Sequence, residues 1–389
     1  MTNTQLIELT KKLVAIPSTG DNPDGLRQAY NFMIGLLRAS GKDITIEEFE
    51  SNGKPSFMAY KGGVRPKRFK IILSVHVDVV PGKPHQYDGK VKNGKLYGRG
   101  VHDEKAACVI LADLFCEFID KVPYALGLQV VTDEEYGGAD GALYQIQQGV
   151  RGDFVICAEC GRRPDVHEIA NEAKGIVIAD ISFDGSAAHG AYPWKGDNAA
   201  PKAAHFIHAL HQRFPSPSQE SPETTFSVTS MSAHGGSHTR IPDSATVRLD
   251  IRYAPDDLNF EDRTSLQALI KSIDPNAKLD IVLFDSPLYC SPDNPLLQAL
   301  KTSAEAIEGA PFTFARRHAT SDGRHFGDVG DQACEFGVAG DNQHGDNEHI
   351  TLTAFSNYRN TIRHFLEKTT TMNTNEVALQ PKPKNLILT

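Results

Sequence analysis

The segment beginning at Phe69, FKIILSVHVDVVP, constrains the fold of this chain more than any other stretch. It is a short apolar run rich in β-branched residues and closed by Pro81, as suits a strand buried on both faces inside a parallel sheet. Its last turns of polarity are His76 and Asp78, so the strand delivers chemistry at its carboxyl end. Two later runs have the same design. YALGLQVVTDEE ends in Asp133, Glu134 and Glu135, and DFVICAEC ends near Glu159. Ahead of both, KAACVILADLFCEFI, after Asp103, reads as a helix. Alternating strands and helices predict a mostly parallel, mixed α/β sheet with helices on both faces, and ligands of such sheets bind beyond the carboxyl ends of the strands. Three polar strand ends far apart in sequence are therefore expected to converge.

The pattern changes near residue 174. GIVIADISFDG alternates as a half-buried strand, and a helix follows near residues 199–214. TTFSVTSMSA and SATVRLDIRYA are strand-like, residues 262–273 are helical, and AKLDIVLF is a strand again. This β-α-β-β-α-β order predicts an inserted α+β domain with an open antiparallel sheet. The expected division is residues 1–173 with 285–389 as one domain and 174–284 as the insert. At 389 residues the chain exceeds the usual size of one core, in keeping with two. Residues 1–14 are read as an amphipathic helix with Leu6, Leu9 and Leu13 at near-helical spacing. The polar tail from Thr369 is expected to be loosely ordered, with NLILT at its end able to dock.

Charge and cysteine usage narrow the function. A formal net charge of -9 leaves no concentrated basic surface for nucleic acid, which points to a small substrate. No apolar run reaches the length of a membrane span, and the N-terminal segment lacks the long apolar stretch of a signal peptide. Six scattered cysteines resemble buried thiols of a reducing compartment, so a cytoplasmic location is expected. Cys157 and Cys160 form a C-x-x-C, but without a second pair at zinc-ribbon spacing they are read as having neither a structural nor a redox role.

Five segments carry residue types that hold metals: His76-Val77-Asp78, the stretch ending in His102-Asp103, Asp133-Glu134-Glu135, Glu159, and His344 to Glu348. Each alone is unremarkable for a surface. Their order, together with SVHVDVVPG, LYGRGVHDEKAA, VVTDEEYGG, VICAEC, GSAAHGAYPWKGDNAA, RIPDSATVRLDIRY, ATSDGRHF and QHGDNEHI, resembles the M20 metallopeptidase family. That family includes succinyl-diaminopimelate desuccinylase, acetylornithine deacetylase, aminoacylase and glutamate carboxypeptidase, and the resemblance covers nearly the whole chain. It implies a zinc exopeptidase-like fold whose insert is a lid and dimerisation domain.

By position, the resemblance makes His76 and Glu159 ligands of one Zn²⁺, Glu135 and His344 ligands of a second, and Asp103 the bridge; Co²⁺ or Mn²⁺ are expected substitutes. Imidazole and carboxylate suit zinc, and a shared carboxylate offsets the repulsion of two dications held about 3.5–4 Å apart. Asp78 is implied as the acceptor that fixes the His76 tautomer. Glu134 is implied as the general base that takes a proton from water and returns it to the leaving amine. His189 is implied as an oxyanion donor reaching the site of a partner subunit, hence a homodimer through the insert. Arg324, and also Arg252, present the planar fork that matches a substrate carboxylate, although Arg252 also suits a plain salt bridge at a strand end. Thr239, where the family commonly has Asn, completes the expected substrate-contacting set.

Three departures from the family pattern stand out: Ala106 replaces a common Gly, Thr239 replaces Asn, and AEC replaces the usual GEP around Glu159. His205, His208 and His211 recur along a predicted helix without accompanying carboxylates and are read as solvated or structural. His102 and His349 adjoin implied functional residues but point away on extended backbone, and are excluded. The expected activity is hydrolysis of an amide bond in a small carboxylate-bearing substrate such as an N-acyl amino acid. A di- or tripeptidase or carboxypeptidase of the same family is the alternative, and a noncatalytic binding module is the reading from another class.

Overall fold

The structure of the protein, a computed structural model, describes residues 1–159 and 163–372. Cys160 of the C-x-x-C and the NLILT tail therefore lie outside the described residues. The chain divides into two compact units. The first comprises Met1–Glu172, Leu288–Ala315 and the described chain from Ser321 onward; the second comprises Ala173–Pro287 with Arg316–Thr320.

The large sheet holds nine strands: β1 (Ile44–Ser51), β2 (Lys54–Lys61), β3 (Phe69–His76), β4 (Leu126–Val131), β5 (Gly152–Cys157), β6 (Glu168–Ala173), β7 (Leu288–Tyr289), β8 (Thr313–Arg317) and β9 (Gln332–Glu335). Their spatial order is β1-β2-β4-β3-β5-β9-β6-β7, with β8 against β6. The centre is parallel: β3 runs with β4 and with β5, and β9 runs with β5. Toward the edges β1, β2 and β6 pair antiparallel. The sheet is thus mixed, with its parallel part confined to the strands whose ends carry polar residues.

Apolar composition explains the centre. Ile71, Leu73 and Val75 of β3, Leu126, Leu128 and Val130 of β4, and Phe154 and Ile156 of β5 are all buried in one core. Each such side chain contributes about 1.5–3 kcal/mol on burial. Helix Ala106–Phe118 packs into the same core, with Val109, Ile110, Leu111, Leu114 and Phe115 fully enclosed. Helix Asn3–Val14 starts on a capping box in which Thr2 accepts from the Gln5 backbone and Gln5 answers, and it buries Leu6 and Leu13. The chain leaves β3 toward β4 on one side, and later places β5 on the other. The carboxyl end of β3, where His76 sits, is therefore the point where the connections diverge and a crevice opens.

A second, small sheet orders Gly340–Asp341, His349–Thr351, Lys95–Tyr97 and Lys90–Lys92. Its antiparallel register sets His349 opposite Tyr97, so the chain just before His349 lies beside the chain just after Tyr97. Strands of two or three residues leave no alternation to read, and sequence analysis did not anticipate this sheet.

The second unit has the β-α-β-β-α-β order. Thr225–Ser232, Ser244–Tyr253, Gly175–Asp184 and Lys278–Asp285 form an antiparallel sheet in that spatial order. Gly175–Asp184 alternates strictly, burying Val177, Ala179, Ile181 and Phe183 against Phe206 and Leu210 of helix Ala199–Arg213 and Leu266, Leu269 and Ile270 of helix Arg263–Ile273. Among the described residues no helix is long and apolar enough to cross a membrane.

Candidate metal centre

His76 is the last residue of β3 and is 2% exposed. Its Nδ1 lies 3.1 Å from the backbone carbonyl of Asp78, an obligate acceptor, and 3.5 Å from Asp78 Oδ1. The Asp78 carbonyl is thus the nearer partner and the carboxylate, expected to hold the ring, is the farther one. Donation from Nδ1 leaves Nε2 with a free lone pair in the neutral ring, the state a metal ligand requires. Asp78 Oδ2 instead accepts the backbone N–H of Glu135 at 3.0 Å.

Asp103 lies between two imidazoles. Its Oδ1 is 3.1 Å from His76 Nε2 and its Oδ2 is 3.1 Å from His344 Nε2. His344 Nε2 is also 3.2 Å from Glu135 Oε2, and His76 Nε2 is 3.9 Å from Glu159 Oε1. Two ligand groups result, His76 with Asp103 and Glu159, and Asp103 with Glu135 and His344; within each, one donor atom per residue lies within 4.8 Å of the others. The two groups share Asp103, with one carboxylate oxygen turned to each. This donor set, two imidazoles and three carboxylates of which Asp103 is shared, fits a pair of divalent cations such as zinc.

Charge supports the fit. Burial alone pushes the Asp103 carboxyl up, yet hydrogen bonds from His344, His76 and Gln343 hold it far below the usual carboxylate range. Burial, then the neighbouring Glu134 and Asp103, push Glu159 well above its ordinary value. His344 is raised to about 10 by its hydrogen bonds to Asp103 and Glu135. Anionic groups here crowd each other and draw protons onto the imidazoles; bound dications would neutralise the carboxylates and displace those protons.

Glu134 opens the short helical turn that also carries Glu135. It lines a cavity of about 10 Å³, the size of one water molecule, together with His76, Glu104, Glu159 and Asp322. Burial, and then the charges of Asp322, Asp103 and Asp78, raise its carboxyl well above the ordinary value against the opposing effect of His76. Arg324 is buried, with Nη2 donating to the Gly137 carbonyl at 2.6 Å and Nη1 to the Ser321 carbonyl at 2.9 Å. It stands next to the turn that bears Glu134 and Glu135.

The other expected residues belong to the second unit. His189 pairs with Arg240 across a two-residue ladder, and Gly190 donates to the Thr239 carbonyl, so His189 and Thr239 are neighbours. His189 Nδ1 accepts the Ala191 N–H at 3.1 Å, which places the proton of the neutral ring on Nε2. Arg252 forms a two-point pair with Asp250, at 2.8 and 3.2 Å. His205, His208 and His211 face solvent on helix Ala199–Arg213. His349 is engaged by the Asn347 carbonyl and Lys95 in the small sheet.

Sequence reasoning passed over several residues of the centre. Gln343 donates to Asp103 Oδ2 at 2.7 Å, and Glu104 accepts the His76 backbone N–H at 2.7 Å. Glu348 and Arg99 are both buried and pair at 2.6 Å. Their signal was adjacency: each lies within four residues of an expected ligand.

Comparison with known proteins agrees with this geometry. The chain is 23% identical over 378 residues to a succinyl-diaminopimelate desuccinylase of Hahella chejuensis, covering 93% of this chain and 96% of that one. It is 26% identical over 381 residues to one of Burkholderia mallei, covering 93% and 98%. In fold it is similar to aminopeptidase PepT from Bacillus cereus, with a TM-score of 0.75, 16% identity, and coverage of 95% and 99%. Residues 72–368 match the sequence model of peptidase family M20/M25/M40. With the match spanning more than half of the chain, from within β3 into the last of the described helices, this chain belongs to that family and is one of its hydrolases.

Proposed function

We propose that the protein hydrolyses the amide bond of a small N-acyl amino acid, such as N-succinyl-diaminopimelate or N-acetylornithine, with two zinc ions. The observation that carries the reading is Asp103, which turns one oxygen to His76 and the other to His344. His76, Asp103 and Glu159 would hold one ion and Asp103, Glu135 and His344 the other. When bound, the ions supply the acidity that lets water lose a proton near neutral pH and the positive charge that polarises the substrate carbonyl. Glu134, beside both groups but in neither, takes that proton and delivers it to the leaving amine. His189, whose Nε2 carries the ring proton, donates to the developing oxyanion. Arg324, with Arg252 and Thr239, meets the substrate carboxylate. The desuccinylase names of the two curated relatives favour an acyl amino acid. The aminopeptidase name of the structural relative keeps the di- or tripeptidase and carboxypeptidase reading as the alternative.

The protein is further proposed to act in the cytoplasm as a homodimer joined through the second unit. Support comes from the edge strand Thr225–Ser232, whose Val228 and Met231 are 36% and 44% exposed. Zinc-loaded protein assayed against N-succinyl-diaminopimelate, N-acetylornithine and a dipeptide panel tests the activity. Turnover of an N-acyl amino acid is expected, and turnover of peptides alone selects the alternative. Inactivity on every substrate with two zinc ions bound sinks the proposal, and a fully stable protein that takes up no metal selects the noncatalytic module.

A further inference from the structure

Glu348 is 1% exposed and its carboxylate is surrounded by donors from a single loop. Oε1 accepts the backbone N–H groups of His102 at 3.0 Å and Asp103 at 3.2 Å. Oε2 accepts the Gly100 N–H at 3.0 Å and Arg99 Nη1 at 2.6 Å. The second arm of the same guanidinium, Nη2, donates to the backbone carbonyl of His344 at 2.9 Å. Two side chains thus tie the backbone of Asp103 to the backbone of His344, although the two residues are remote in sequence.

The local backbone makes this tie consequential. Gly100 has φ +78 and His344 has φ +59, both in the left-handed region, so neither loop follows from regular structure. Asp103 departs from helical geometry, with φ -120 and ψ 87, and the small sheet stops at Tyr97 on one side and at Asp341 and His349 on the other, short of both residues. The pair is also poorly placed to serve stability for its own sake. A buried ion pair gains in attraction about what it loses in desolvation, so its distinctive effect is geometric. The planar fork meets Glu348 with Nη1 and the His344 carbonyl with Nη2 in one fixed geometry, whereas an ammonium on a flexible stem does not hold two acceptors at a set separation.

We propose that Arg99 and Glu348 are positioning residues that set the separation of Asp103 and His344, and thereby the affinity of both metal sites. The inference rests on the metal-centre reading given above. Because Asp103 is shared, loosening the tie weakens both ions and not only the one held by His344. Arg99→Lys keeps the charge and removes the fork; Glu348→Gln keeps the shape and replaces one acceptor with a donor facing donors.

The test is zinc affinity of purified protein, measured by competition with a chromogenic chelator after near-UV circular dichroism shows the variants folded. Both variants are expected to bind each of two zinc ions 10–100-fold more weakly than wild type, the range seen when supports of metal ligands are lost. Glu348→Asp, which retains an anion, is expected to fall between. Arg359→Lys is the control: it disturbs another buried pair, with Asp113 at 2.9 Å, and is expected to lower the melting temperature while leaving zinc affinity unchanged. Wild-type affinity at both sites in folded Arg99→Lys overturns the inference while leaving the metal centre standing. Equal weakening in Arg359→Lys also overturns it, by exposing a general loss of stability. A wild-type chain that binds no zinc overturns the inference together with the metal-centre reading.

Discussion

Asp78 and Glu135 are joined by a hydrogen bond from the Glu135 backbone N–H to Asp78 Oδ2 at 3.0 Å. Through it the strand end that carries His76 holds the turn that carries Glu134 and Glu135, so one buried carboxylate registers residues of both ligand groups. Asp78 is fully buried; its Oδ2 takes this N–H, while its Oδ1 makes no hydrogen bond and lies 3.5 Å from His76 Nδ1.

Asp78→Ala removes that registration without removing a ligand. Zinc affinity and kcat are expected to fall about 10–100-fold, with fold retained by circular dichroism. Unaltered affinity would show that β3 and the Glu134 turn are fixed by other contacts.

Glu134→Gln keeps the shape of the side chain and removes its capacity to take a proton. The expected loss in kcat is about 10²–10⁴-fold with zinc content still near two per chain by atomic absorption, because Glu134 belongs to neither ligand group. Activity within about tenfold of wild type would assign the base elsewhere.

His189→Ala is expected to lower kcat about 10²-fold and leave zinc content untouched, as for the loss of one oxyanion donor. If steady-state kinetics show only a change in KM, the residue serves binding and not the transition state.

His325 predicts an acid-sensitive term in stability. It is buried, with Nε2 3.3 Å from the Gly137 carbonyl, and burial followed by the nearby Arg324 charge lowers its pKa to about 3. The unfolded value is about 6.5. Between the two, the unfolded chain binds a proton that the folded chain refuses, so stability declines as pH falls from about 6.5 toward 3 and carries no such penalty above that window. His325→Gln removes this term. Its urea-unfolding free energy is expected to drop by roughly 2–3 kcal/mol less than that of wild type between pH 7 and pH 4.5. Parallel curves for the two proteins would count against it.

Gly138 has φ +66, and a Cβ there would fall 1.8 Å from the buried Asp322 Oδ1. Gly138→Ala combines a left-handed backbone penalty with a clash that the enclosed carboxylate cannot readily yield to, and is expected to destabilise the fold by about 2–4 kcal/mol. A melting temperature equal to wild type would mean that this turn repacks.

The parts of the fold that were legible in the sequence are those with periodic signals. The apolar runs of β3, β4 and β5 and the alternation of Gly175–Asp184 each state their burial directly. The small sheet through Lys95–Tyr97 and His349–Thr351 did not announce itself, because a three-residue strand shows neither alternation nor length. For the site, residue order and resemblance pointed to His76, Asp103, Glu135, Glu159 and His344, and the structure brings these together in two groups. The supports were harder to see. Glu348 acts through backbone N–H groups of residues it meets only after folding, and the nearer acceptor for His76 is a carbonyl, which no side-chain pattern encodes.

The second unit interrupts the chain between Glu159 and His344, and this has a consequence for biosynthesis. A nascent chain that has emerged only through residue 172 already owns every donor of the His76, Asp103 and Glu159 group, but it lacks His344, and with it Arg99's second anchor and the partner Glu348. The two candidate ligand groups are therefore completed at different points of synthesis: every residue of the first precedes the inserted unit, whereas the second is complete only once the chain has returned from it.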